Sequence, residues 1–178
     1  MALYKQPVSV LVVIHAAAPS LFDTSGELGT GHFDKLRTGL EVLLLERADH
    51  PGYWQSVTGS CEAGETLVET AIREVREETG LDVRQDALTD WQLQNVYEIY
   101  PQWRYRYAPD TTHNTEHVFG LQLPRPVAVQ LAPCEHLNYQ WLAWQEAAEK
   151  VFSPSNRAAI LELPKHAIRP ERASRKTP

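Results

Sequence analysis

GETLVETAIREVREETGL, residues 64–81, decides how this 178-residue chain folds. Thr66 and Glu69 form the T-x-x-E pattern in which each side chain caps the other's backbone, so a helix is expected to begin about there. Leu67, Ala71 and Val75 recur every fourth residue with Ile72 beside them, a stripe that asks to be buried. Gly80 stands where a left-handed terminator belongs, which gives a helix over roughly 66–79. Its other faces collect charge. Glu74 and Glu78 share one face, four residues apart, and Arg73 and Glu77 share the next. Like charges at that spacing destabilise a free helix by about 0.2–0.5 kcal/mol. Either this is a solvated face laced with Glu–Arg pairs, or the carboxylates share a hard divalent cation while an arginine holds one of them in orientation.

The residues ahead of the helix choose between these. Gly59 is followed after five residues by Glu65, and after seven more by Arg73-Glu74-Val75-Arg76-Glu77-Glu78-Thr79-Gly80-Leu81. This resembles the Nudix box, G-x5-E-x7-R-E-U-x-E-E-x-G-U with U a bulky aliphatic residue, at every specified position. The resemblance implies an α/β (α+β) fold: an α/β/α sandwich with a mixed sheet and a loop–helix–loop catalytic segment. It also implies Mg²⁺- or Mn²⁺-dependent hydrolysis of a nucleoside diphosphate linked to a further group. Carried over by position, Glu74, Glu77 and Glu78 are metal ligands, Arg73 orients them, Gly59 and Gly80 permit the turns, and Glu65 is structural. The general base stays open among Glu77, Glu78 and a glutamate outside the box.

Other segments narrow the substrate. YKQPVSVLVVI (4–14), WQSVTGSCEAGE (54–65), YRYAP (105–109), NTEH (114–117), EHLNYQWL (135–142) and SNRAAI (155–160) are similar, in the same order, to a bacterial branch of the family. That branch releases pyrophosphate from 7,8-dihydroneopterin 3′-triphosphate in folate biosynthesis. The alternative is a broader pyrophosphohydrolase acting on dATP or oxidised purine nucleotides. By matching position Lys5, Arg47, Thr58 and Ser153 are implied substrate contacts, Tyr97, Glu98, Ile99 and Tyr100 line the site, and Glu135 is a further metal ligand or base. Glu116, in NTEH, competes with Glu135 for that last role. A sensor that binds without hydrolysing is disfavoured, because such proteins usually lose box glutamates and all three remain.

Composition sets the outer bounds. The net charge of −6 argues against a nucleic-acid coat. No apolar run reaches the length of a membrane span, and the N-terminal apolar stretch alternates like a buried strand. Cys61 and Cys134 have no zinc-like spacing and are expected to be reduced in a cytoplasmic protein, with Cys61 a small buried residue. His117 and His136 each follow a glutamate, again without a zinc motif. No obligatory protein partner is implied.

Strands are expected at 7–16, 40–47, 53–59, 91–100, 116–123 and 127–131, with 138–144 leading into a helical QEAAEKVF. A last helix is expected over 155–163 with Ser155 as its cap. Residues 1–168 form one domain in this reading, with a loop insertion at 20–39. The end, PKHAIRPERASRKTP, is expected to be disordered, and 169–178 a basic tail.

Overall fold

The computed structural model describes residues 4–18 and 39–167. Almost all of the 20–39 loop and the whole 169–178 tail therefore lie outside the described residues.

Strand β1 (Val8–Ala17) is buried along nearly its whole length, as suits a strand covered on both faces. It pairs in parallel with β6 (His113–Leu123) and antiparallel with β2 (Leu40–Arg47) and β4 (Val57–Ser60). Outward from these, β5 (Leu88–Glu98) joins β6, while β3 (Trp54–Gln55) and β7 (His136–Ala143) join β2, all antiparallel. The sheet is mixed, as expected.

Alternation along β1 and β2 builds the two sides. Val10, Val12, Ile14, Leu43 and Leu45 face α1 (Leu67–Thr79), whose Ala71 and Val75 complete that core. Leu11, Val13, Leu40, Val42 and Leu44 face α2 (Trp144–Lys150) and α3 (Pro154–His166), which contribute Ala147, Ala148, Ala159, Ile160 and Leu163. Three layers result.

Helix α1 has the ends its sequence announced. Thr66 and Glu69 make a reciprocal capping box, and Gly80 ends the helix at φ 70°. Some expectations need correction. The segment 127–131 is not a strand: it runs between Pro126 and Pro133, and its backbone is spent elsewhere. Gln130 N–H donates to the Thr79 carbonyl at the end of α1, and the Val127 carbonyl accepts from the Trp141 indole. Residues 53–59 break into two short strands. The strand placed at 91–100 begins at Leu88 and leaves the sheet after Glu98, and it carries a register shift between Asp90 and Leu93 with Gln92 at φ 55°. That shift turns Trp91 onto the helical side, over Gly120, where a Cβ would stand 2.4 Å from the indole nitrogen.

The last correction concerns α3. Pro154 supplies its first turn, so Ser153 and not Ser155 holds the cap position. The helix also continues through Pro164 to His166, whose ring stacks on Trp91 at 4.4 Å, so the first residues of the expected tail are ordered.

His15 lies on the helical side of β1, 4% exposed, and desolvation lowers its pKa to about 4. The unfolded chain takes up this proton near pH 6.5 and the folded chain resists it. Stability is therefore complete above that pH and lost as the pH falls toward 4. Between pH 7 and pH 5 the loss from this residue is expected to be about 2 kcal/mol. Thermal melts at the two pH values test it: His15→Gln should shrink the drop, and an equal drop in the variant would sink the assignment.

Candidate active site

A cleft of about 800 Å³ opens on the helical side of the sheet, between the N-terminal ends of β1 and α3 and the 3₁₀ turn Pro101–Arg106. The box helix reaches it through Glu78. The arrangement begins at Arg73, which ties the box together. Its Nε donates to Glu65 at 2.7 Å, its Nη1 to Glu74 at 2.7 Å and Glu77 at 3.2 Å, and its Nη2 to the Ser60 carbonyl. Glu65 also accepts from Thr70 and from the Glu62 backbone, and with Arg73 beside it its pKa falls to about 2. Glu65 is thus a fixed structural anion. Arg73 orients the glutamates on either side of it.

Gly59 explains itself here. A Cβ at that position would lie 1.8 Å from the Glu74 carboxyl carbon, so a side chain there would push the Glu74 carboxylate out of its place against Arg73. Desolvation pushes Glu74 up to about 7 even though Arg73 opposes the shift.

Glu78 is 3% exposed, and burial raises its carboxyl above the ordinary range, with His136 acting against this. His136 Nε2 stands 3.1 Å from Glu78 Oε2, yet neither atom completes an aligned hydrogen bond. Glu135, on the exposed loop before β7, brings its carboxylate to the same point: ligand atoms of Glu78, Glu135 and His136 all lie within 4.8 Å of one another. Helix and loop, far apart in sequence, converge here. A buried carboxylate oxygen without a hydrogen-bond partner beside further anionic and imidazole donors suits a cation, so the donor set fits a divalent metal. Glu74 and Glu77 face Arg73 in this arrangement and stand outside that trio. Glu116 stands outside it as well.

In the sequence His136 is set aside for want of a zinc motif, because its contact with Glu78 is long-range and carries no spacing signal.

Substrate-facing expectations fare variously. Lys5, Arg47, Thr58, Tyr97, Glu98, Ile99, Tyr100 and Ser153 all line the cleft. Desolvation, with Arg106 nearby, lowers the Lys5 ammonium. Arg47 is already committed: its guanidinium grips Asp49 at 2.6 and 2.8 Å, donates to Gln55, and lies 5.7 Å over the Trp103 ring. Glu98 pairs with Arg104. Ile99 is buried, with its N–H on the Thr112 carbonyl. Tyr97 and Tyr100 are not core residues, being 36% and 46% exposed. Ser153 shares a hydrogen bond with Ser155.

One wall went unread. Trp103 meets Tyr100 and His50 edge-on, Tyr53 stacks between His50 and Phe152, and Trp103 and Phe152 line the cleft. These aromatic residues come from three separate segments, and no local pattern joins them.

Residues 28–163 match the NUDIX domain. The dihydroneopterin triphosphate diphosphatase of Escherichia coli (strain K12) is 45% identical over 159 residues, 88% of this chain and 91% of the relative. The enzyme of the same name from Haemophilus influenzae is 38% identical over 162 residues, covering 90% of this chain and 89% of its own length. Among solved structures, the E. coli dihydroneopterin triphosphate pyrophosphohydrolase superposes with a TM-score of 0.71 at 41% identity, covering 92% of this chain and 99% of that one. A Caenorhabditis elegans Ap4A hydrolase, 19% identical with a TM-score of 0.60 over 90% of this chain and 96% of its own, shares the fold.

Proposed function

The chain belongs to the Nudix family, and on that footing we propose that it hydrolyses 7,8-dihydroneopterin 3′-triphosphate to the monophosphate and pyrophosphate. The observation that carries the reading is a single cleft. It joins the trio Glu78, Glu135 and His136 to a wall of aromatic and polar side chains, in a chain 45% identical to a diphosphatase of that substrate over 88% of its length. No helix among the described residues is long and apolar enough to cross a membrane. We read the protein as cytoplasmic, with a small-molecule substrate and no nucleic-acid partner.

Glu78 and Glu135 would hold Mg²⁺ beside His136, with Mn²⁺ as a substitute, and Glu74 and Glu77 would join them by turning from Arg73. Bound there, the ion supplies neutralisation of phosphate charge and a lowered pKa for water. The chain's own residues do the rest. Arg73 fixes the glutamates before substrate arrives, which lowers the cost of assembling the site. Lys5 places positive charge along the cleft for the triphosphate, Arg47 would add its own by exchanging Asp49 for a phosphate, and Thr58 and Ser153 offer hydroxyls to it. Tyr97, Tyr100 and Trp103 provide faces for a planar ring. Glu135 is the member of the trio that faces solvent, so it takes the proton from water entering the cleft.

The substrate is tested by kcat/KM for the pterin triphosphate beside dATP under one magnesium concentration. A ratio of at least about tenfold in favour of the pterin is expected, because a site built to hydrogen-bond one heterocycle rejects another that leaves its polar groups unpaired. Equal or better turnover of dATP would make the protein a general purine nucleotide hydrolase.

A further inference from the structure

Two buried polar side chains in the cleft take no part in the chemistry above. Asn114 and Glu116 alternate along β6 on the face that carries Val118 into the helical-side core, and they are 2% and 5% exposed. Asn114 Nδ2 donates to Ser9 Oγ at 2.7 Å and to the Tyr97 hydroxyl at 3.0 Å. Both amide hydrogens are thereby spent. Its Oδ1 is buried without a partner. Glu116 accepts from Asn95 Nδ2 at 3.3 Å, and no cation pairs with it among the described residues.

A carboxylate buried among neutral donors is expensive, and an apolar side chain like Val118 two positions on would serve the fold better. Both residues line the cleft, and the Glu116 carboxylate is an acceptor there. A ligand that answers it must offer adjacent N–H donors in one plane. The 2-amino-4-oxopyrimidine edge of a pterin does so: its exocyclic amino group and ring N3–H point the same way, spaced for the two oxygens of a carboxylate. Guanine carries the same edge. Adenine does not, for beside its amino group stands a ring nitrogen whose lone pair would face the carboxylate.

We propose that Glu116 recognises the substrate's heterocycle by accepting hydrogen bonds from its 2-amino group and N3–H. This deepens the pterin triphosphate reading and rests on it for the identity of the natural substrate. Glu116 is a specificity residue, where sequence pattern had made it a rival metal ligand. Tyr97 and Ser9 hold Asn114 in place beside Glu116 by accepting its two amide hydrogens.

The experiment compares kcat/KM of the full-length protein and Glu116→Gln, with Mg²⁺, for dihydroneopterin triphosphate, dGTP and dATP. The glutamine keeps the size but sets a donor against the ring's donors. The expected result is a fall of at least about tenfold for the pterin and for dGTP, mainly in KM, with dATP within about threefold. An equal fall on all three, or none, overturns the proposal. The dGTP to dATP comparison decides on Glu116 even if the wild-type protein fails to prefer the pterin, so the two failures are separable. A second arm needs no variant: neopterin, which bears no phosphate, is compared as an inhibitor of dATP hydrolysis with its 2-oxo counterpart lacking the amino group. Inhibition at least about tenfold weaker by the latter supports the assignment. Equal inhibition overturns it.

Discussion

Glu78→Gln is expected to leave the protein folded and to lower kcat for pyrophosphate release by on the order of 10³-fold, roughly 4 kcal/mol of barrier. The substitution conserves volume and one oxygen, and removes the charge of the carboxylate buried most deeply beside the cleft. If Glu78 served only to pack α1 against β7, the neutral amide would be harmless. In the absence of metal the variant's melting temperature should not fall, since the wild-type carboxylate sits raised in pKa by its own burial beside His136. An unchanged kcat would remove Glu78 from the metal site and with it the reason for the helix's acidic face.

The second large effect is expected at Glu135. Glu135→Gln should lower kcat by about 10²-fold while KM for the pterin triphosphate moves less than about threefold. Its side chain is exposed on a loop whose preceding residue, Cys134, holds φ at 70°. Its carbonyl is fixed by the Ala48 N–H at 2.9 Å. The backbone is therefore set while the carboxylate stays open to water, as proton transfer requires. A pure KM effect would demote Glu135 to a binding role.

These two residues mark the limit of what the sequence discloses. Glu78 is legible because its helix is local: cap, stripe, terminator and charges all fall within one short segment, and each follows from spacing alone. The same holds for β1 and β2, whose alternation already separates the two cores. Glu135 was within reach through resemblance, whereas its neighbour His136 was noted only for lacking a zinc motif, since its approach to Glu78 on α1 is a tertiary contact. Residues 127–131 misled because apolar content and β-branching say strand, while Pro126 and Pro133 and the open carbonyls at the end of α1 claim that backbone first. Glu116 was visible as a residue, but its burial was not. Beginning the strand at 116 instead of His113 cut Asn114 from it, and with that the parity placing both side chains on one face of β6. Which cleft a polar residue enters depends on what covers the sheet, and that is a tertiary fact.

The most direct test of the central claim, that these carboxylates hold a metal for cleavage between the α- and β-phosphates, is hydrolysis of dihydroneopterin triphosphate by chelated protein before and after Mg²⁺ is restored. Pyrophosphate and orthophosphate are resolved among the products. The expected result is no measurable turnover without the metal, full recovery on its return, and one pyrophosphate for each monophosphate formed. Turnover that persists through chelation, or orthophosphate as the first product, would contradict it.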